Sequence, residues 1–588
     1  MFTPFVIPFV LGVAALFAVC LVKYVRWYKG FTPEQRAAVR QNLLTGQSLL
    51  ALKESIEECL LHHRVFKKNL VLGYMHSSIA LGWFLLIVVG GVEARLETTG
   101  PVPVWEAIFL RYFVHNPEAV YPHAHVFAHL MDSLLLVVLS GVCIAFIKSL
   151  YHKIVGMKRV TRHTLFDLIA KYTLWFIFPL RLLAESLTAA LWGNGGWLTG
   201  AIGSLFTAET AAALEYPAWL LYSLSLGAFF TAMPFTRYMH IFTEVPLIFF
   251  RRLGVKEAEQ ATGYTLYELS ACSRCGICID NCPLNKELGH TDVQPVYFLR
   301  DVRNRRSRLL TAEDCLLCGR CQAECPVGID LLSIRRQERR RDALDRHGNY
   351  DTLKKALPFN AIGRVGYFGG CMSHLTPGIT ESMKKIFEAA GVKYWHMDAQ
   401  GTLCCGRPLF QQGFVHQAED LRARNTEMIR QSGVKMLVTS CPICYQSFTK
   451  EYHLDGVQVM HHSQYLQMLI DQGRLKPQRG TERIVYHDPC ELGRGCGIYD
   501  PPRAVIASAA TLLKTPQERE KSLCCGHNPG DTLLSFEQQA RIREASAANL
   551  LSVKPDLIAT ACPMCKKALS NGSERRVKDI AEIIAEHL

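Results

Sequence analysis

Apolar residues dominate five long stretches of the first 250 positions, roughly 4–25, 70–91, 122–148, 165–191 and 216–250. Each is long enough to cross a bilayer as a helix, which takes about 20 mostly apolar residues. Beyond residue 250 the pattern changes to ordinary amphipathic sequence. Short apolar strands there alternate with helical stretches, so a membrane part is followed by a soluble α/β part. The first stretch lacks a basic leader and a small-residue cleavage site ahead of Lys23 and Arg26, and reads as a retained span. The loops order the spans. Lys29, Arg36, Arg40, Lys53, Arg64, Lys67 and Lys68 lie between spans one and two, and Lys153, Lys158, Arg159 and Arg162 between spans three and four. The other two loops carry only Arg95 and Arg111. Positively charged loops stay inside, which puts the N-terminus outside and everything after residue 250 in the cytoplasm. The segment 33–63 reads either as an amphipathic helix on the inner surface or as a plain cytoplasmic loop.

Composition sharpens this picture at two points. Of 588 residues 49% are hydrophobic and 20% charged, which excludes disordered and collagen-like classes. The net charge of +13 is what cytoplasmic loops of a membrane protein supply and implies no nucleic acid. Of the 22 cysteines, 19 fall after residue 270 in CxxC and CC groups, which points to metal in a reducing compartment and away from disulfides.

Histidines inside spans are costly and usually functional. His76 lies near the start of span two and His240 late in span five, both toward the cytoplasmic end, where two neutral imidazoles facing each other would ligate a haem iron, or else the two are unrelated polar residues lining a helix contact. Span three begins HAHVFAHLMD. Its His125, His129 and Asp132 share one helix face and cannot bracket a haem, so a second haem would need His115 or His123 from the preceding loop, or a ligand other than histidine. His129 and Asp132 suit a quinol site, or else a hydrated helix end. Five spans with histidines in the second and fifth resemble the cytochrome b subunit of respiratory nitrate reductase and its relatives in heterodisulfide reductases and sulfite-reduction complexes. That resemblance implies at least one haem b and a menaquinone-type quinone. The nitrate-reductase subunit has two histidines in each of those helices, where this chain has one.

Residues 272–282 read CSRCGICIDNC and 315–325 read CLLCGRCQAEC, each followed by proline. This C-x2-C-x2-C-x3-C-P spacing is that of bacterial two-cluster ferredoxins, in which the fourth cysteine crosses to the other [4Fe–4S] cube. Cys272, Cys275, Cys278 and Cys325 then form one set, and Cys315, Cys318, Cys321 and Cys282 the other. Structural zinc would leave the paired tails unexplained. The segment 283–314 between the motifs is helical in character.

The remaining cysteines repeat. Cys371, Cys404, Cys405, Cys441 and Cys444 recur as Cys490, Cys524, Cys525, Cys562 and Cys565 at offsets of 119, 120, 120, 121 and 121. So constant an offset means a duplicated domain. Each CPxC follows an apolar strand and opens a helix, whose dipole favours thiolates. The motif resembles the cysteine-rich CCG family, in particular the catalytic subunit of heterodisulfide reductase. The resemblance implies that each set of five holds a noncubane [4Fe–4S] cluster and that the two clusters cleave a substrate disulfide at the lobe interface. Two four-cysteine zinc sites would also match the spacing but leave one cysteine over in each set. Cys20, Cys59, Cys143 and Cys496 remain, the last near the proposed site. His487 and His527 are candidate proton donors or loop hydrogen-bonders.

The expected fold is multidomain: an all-α five-helix transmembrane bundle (1–255), an α-helical ferredoxin-type dicluster domain (256–355) and two repeated α/β CCG lobes (356–480 and 481–588). With no dinucleotide fingerprint in the sequence, the order haem, two cubanes, two noncubanes describes an electron wire in the cytoplasmic membrane. It would join a quinone pool to a cytoplasmic disulfide or thiol substrate. Alternatively it would be a quinone reductase fed by an electron-transferring flavoprotein, or an electron-transfer subunit of a larger respiratory complex.

Overall fold

The computed structural model describes residues 3–97, 107–115, 124–151, 163–290, 294–306, 312–343, 363–401, 403–528, 534–571 and 573–588. His123, the basic residues 153–162 and the expected boundary at 355/356 lie outside them. The chain divides into two compact units, Met1–Ile277 and Cys278–Leu588.

Among its described residues the first unit holds five helices long and apolar enough to cross a membrane: Pro4–Lys29, Leu70–Leu96, Ala124–Leu150, Leu165–Trp192 and Ala208–Phe235. Small residues let them approach closely, as expected where lipid supplies no hydrophobic drive between helices. A Cβ on Gly12 would lie 2.6 Å from Gly227 Cα, so the first and fifth spans touch backbone to backbone. The fifth span stops earlier than the expected 250. Pro234 and the capping hydroxyl of Thr236 break it into short 3-10 turns, and His240 opens a separate helix, His240–Arg252. The segment 33–63 is not one helix. Thr32 and Thr45 each cap a new start, giving Pro33–Asn42 and Gly46–Ser55. Helix Gly263–Ala271, expected in the ferredoxin domain, belongs to the first unit. Its Tyr264 and Tyr267 pack among Trp27, Phe31 and Phe250.

The second unit contains two four-stranded parallel sheets of the same topology. β1 (Val365–Phe368), β2 (Tyr394–His396), β3 (Met436–Thr439) and β4 (Gln458–His461) lie in the order β2-β1-β3-β4. β5 (Arg483–His487), β6 (Thr511–Leu513), β7 (Leu557–Thr560) and β8 (Val577–Asp579) lie in the order β6-β5-β7-β8. All pairings are parallel, and the near-continuous burial of β3 and β7 is what helices on both faces require. One apolar core runs through both lobes. Helix Pro377–Ala389 of the first packs on Ile580–Glu586 of the second, and His462–Asp471 on Asp500–Ala509, burying Phe387, Leu466, Ile506 and Ile584 completely. The ferredoxin part of this unit is helical, with Pro283–Leu288, Pro295–Arg303 and Leu331–Ala343.

Candidate functional site

In a doubly wound parallel sheet, ligands bind beyond the carboxyl ends of the strands where the strand order reverses. In each lobe that point lies between the two central strands. Cys371 follows β1 and Cys441 follows β3, while Cys490 follows β5 and Cys562 follows β7. Cys441 and Cys562 are N-caps of helices Pro442–Lys450 and Pro563–Ser570, so the dipole of each helix favours thiolates there. The glycine of each CCG is required by its backbone. Gly406 and Gly526 have φ of 79° and 82°, and their amides point at Cys404 Sγ and Cys524 Sγ, both at 3.4 Å. Asp398 accepts from the amides of Gly369 and Gly370 at 2.9 and 2.7 Å and so fixes the loop into Cys371. A Cβ at Gly370 would reach within 3.0 Å of Cys444 Sγ, closing the space between the thiols.

The cysteines of each set meet. In the first lobe they touch in the sequence 371, 404, 405, 444, 441, and in the second 490, 524, 525, 565, 562, with Cys565 Sγ donating to Cys525 Sγ at 3.5 Å. Contact with Cys404, then with Cys444, lowers the Cys405 thiol to about 6. Cys441 and Cys562 are close enough to interact electrostatically across the lobes. Thiol donors gathered around these cradles fit iron–sulfur clusters. Cys371 is the exposed member of its set, and Cys490 is partly buried.

In the ferredoxin part, Cys282, Cys315, Cys318 and Cys321 line one cavity with Pro283, Leu316 and Arg335. The crossover from one motif to the other is therefore present in the geometry of this set. Arg339, buried, pins that loop by donating to the carbonyls of Ala312, Glu313 and Cys315. Cys318 also touches Cys524 of the second lobe, and this contact is the main cause that lowers the Cys318 thiol to about 6. Sulfur contacts thus run from the ferredoxin cavity into the second lobe, and Cys441 of the first lobe lies near enough to Cys562 to act on it electrostatically. Spacing alone gave no sign of that link.

Arg494 stands at the junction. Its Nε donates to Cys318 O at 2.7 Å and Nη1 to Ser522 O at 2.9 Å, beside Cys318, Cys490 and Cys524, while its buried Nη2 has no hydrogen-bond partner among the described residues. Arg494→Leu leaves the carbonyls of Cys318 and Ser522 without these donors and is expected to cost about 2 kcal/mol of stability. It should also slow electron transfer from dye-reduced ferredoxin clusters into the second lobe. Thermal unfolding and rapid-mixing absorbance check the two effects.

His487 and His527 flank the second set. His487 is buried, and its ring nitrogen, Cys525 Sγ and Cys565 Sγ lie within 4.8 Å of one another. Among the described residues the buried His527 Nδ1 has no hydrogen-bond partner. Cys496 lies near Lys450, Glu491 and Arg407, its thiol pushed up to about 11 by burial.

In the first unit, His76 and His240 fall in one cluster together with His62, whose ring stacks on His76 at 5.4 Å. His62 sits outside any span, in a left-handed turn at φ 52°, so hydropathy did not single it out. His240 Nδ1 donates to Arg237 O at 2.7 Å, which leaves Nε2 available to a metal. Arg237 N and Arg274, a residue of the first ferredoxin motif, both donate to Asp167, at 2.9 and 2.6 Å. Burial pushes Glu244, in the same helix as His240, up to about 7. At the other end of the bundle stand buried ion pairs, Arg111–Glu93 at 2.6 Å and Arg181–Glu185 at 2.9 Å. His115 is stacked on Trp192 at 3.8 Å.

Asp132 is not a free proton acceptor beside His129. It accepts from the amides of Leu198 and Thr199 at 2.7 and 2.9 Å and caps helix Trp197–Gly203. His129 is exposed, bonded through Nδ1 to His125 O. Cys20 packs against Met239 sulfur at 4.0 Å. Cys143 is exposed, and Cys59 lies beside Glu244 and Glu58.

The cysteine-rich CCG domain family matches residues 365–449 and 484–570, and the 4Fe-4S dicluster domain family matches residues 268–329. The chain carries both kinds of domain. It is 22% identical to EtfAB:quinone oxidoreductase of Syntrophomonas wolfei subsp. wolfei, across 89% of this chain and 88% of that protein. It is 24% identical to one subunit of the dihydromethanophenazine:CoB--CoM heterodisulfide reductase of Methanosarcina barkeri, across 56% of this chain and 97% of that one. It is 26% identical to one subunit of the fumarate reductase (CoM/CoB) of Methanothermobacter marburgensis, across 54% of this chain and 72% of that one. With these domains and relatives the chain is an iron–sulfur oxidoreductase. Its five apolar helices make it a membrane protein.

Proposed function

We propose that the chain is a quinone reductase of the cytoplasmic membrane, fed from the cytoplasm by an electron-transferring flavoprotein. The observation that carries this reading is the likeness to EtfAB:quinone oxidoreductase over 89% of the chain. When bound, the clusters and the haem carry single electrons; the protein's own groups hold and order them. Cys272, Cys275, Cys278 and Cys325 hold one cubane, and Cys282, Cys315, Cys318 and Cys321 the other. Each CCG set of five holds a noncubane cluster. His76 and His240 hold the haem, and the bond from His240 Nδ1 to Arg237 O orients the ring. Quinone protons are exchanged at His129 or at Glu244, which burial keeps near neutral affinity.

A second reading, reduction of a disulfide, is favoured by the approach of Cys441 to Cys562 where the lobes meet. That reaction takes two electrons and two protons per disulfide and releases two thiols.

Two measurements test the first reading. The purified chain should hold about 16 non-haem irons, four for each of four clusters; a value near eight, or zinc in place of iron, sinks the assignment. Reduced electron-transferring flavoprotein should reduce the haem in detergent-solubilised protein. If it does not, while a small disulfide oxidises the reduced clusters catalytically, the second reading replaces the first.

A further inference from the structure

The repeat makes the two CCG lobes comparable position by position, and around the sulfurs they are not equivalent. His487, at the end of β5, corresponds to Phe368 at the end of β1 under the offset of 119. Phe368 is fully buried and packs with Cys405, Cys441 and Cys444 in an apolar cluster. His487 stands in the same place relative to Cys525 and Cys565, and its ring is within hydrogen-bonding reach of the Cys525 thiolate. A second difference has the same sign. Arg494 approaches Cys490 and Cys524, whereas its counterpart Leu375 is 59% exposed. A third difference opposes these, since Arg407 follows the first CCG where His527 follows the second. But Arg407 is paired with both Glu451 and Glu491, so its charge is cancelled locally.

We propose that His487 donates an N–H···S hydrogen bond to Cys525 and holds the second-lobe cluster at a higher reduction potential than the first. The physical reason is that a cluster gains negative charge on reduction. A donor aimed at its sulfur stabilises the reduced form, and a phenyl ring does not. The lobes then form a potential step. With both clusters bound, a single electron would pass from the first lobe to the second, oxidising the one and reducing the other, with no proton or bond exchanged. From there the contact between Cys524 and Cys318 continues into the ferredoxin cavity. This rests on the flavoprotein reading and deepens it, because the step runs from the exposed Cys371 end toward the ferredoxin cavity.

The test is a redox titration of the purified full-length holoprotein followed by electron paramagnetic resonance. His487→Phe copies the first lobe and should lower the midpoint of one noncubane cluster on the order of 59 mV, a tenfold change in a one-electron equilibrium. Phe368→His should raise the midpoint of the other cluster. His487→Gln, which keeps an N–H donor, should restore most of the shift. In protein with 15N-histidine, pulsed resonance should detect a weak nitrogen coupling that disappears in His487→Phe. Midpoints unchanged in both His487→Phe and Phe368→His, with full iron content, overturn the proposal, and so does a strong coupling of the kind a nitrogen bound directly to iron gives. If His487→Phe loses its cluster, His487→Gln and Phe368→His decide alone. Wild-type iron near eight would instead defeat the four-cluster reading, so the two failures are distinct.

Discussion

Cys405→Ala and Cys525→Ala are each expected to abolish reduction of the haem by electron-transferring flavoprotein. The sulfurs lie in series. From the exposed Cys371 they pass through Cys404, Cys405, Cys444 and Cys441, cross to Cys562, and continue through Cys565, Cys525 and Cys524 to Cys318. Each substitution removes a central thiol of one set, so an electron entering at the first lobe meets a missing station in either variant. Reduction of the haem by a dye that feeds the cubanes should survive in both, because the ligands between 272 and 325 are untouched. Stopped-flow absorbance at the haem band measures the two routes side by side. A Cys405→Ala protein that still passes flavoprotein electrons, beside a Cys525→Ala protein that does not, would mean that the partner engages the second lobe directly. Disulfide turnover by wild type, lost in both variants, would favour the disulfide reading.

The second large effect concerns the haem. If His76 and His240 hold a haem as proposed, His76→Ala and His240→Ala should each remove the low-spin b-type signal from a reduced-minus-oxidised spectrum, since either substitution would take away one of the two imidazoles that would hold it. His129→Ala should keep the signal and lower quinol turnover. His62→Ala should also keep it, because His62 stacks on His76 as a neighbouring ring. A signal lost in His62→Ala and retained in His240→Ala would reassign the second axial ligand to His62.

Both predictions rest on residues of unequal visibility. The two sets of five cysteines were legible because a duplicated domain repeats its spacing, and because CPxC after an apolar strand reads as a strand-to-helix turn with its thiols at the helix start. The glycine of each CCG was visible as a letter, but its role needed the backbone: a left-handed φ that sends the amide to a sulfur. The end of span five was misjudged because the apolar run continues through Pro234 into the next helix, and hydropathy does not register a missing N–H.

Local spacing, apolar run length and the period of the repeat determined by themselves that five helices precede a dicluster ferredoxin part and two α/β lobes. Those properties are carried by residues near one another along the chain, where covalent geometry limits what the backbone can do. Only the tertiary structure decided which remote groups meet. Asp132 is consumed by the helix at 197–203, His62 joins His76, Cys318 touches Cys524, and His487 takes the place beside sulfur that Phe368 holds in the other lobe. Each is a contact between segments far apart in sequence, set by how packed elements fit in space, and no local period or propensity encodes which side chain will stand opposite another.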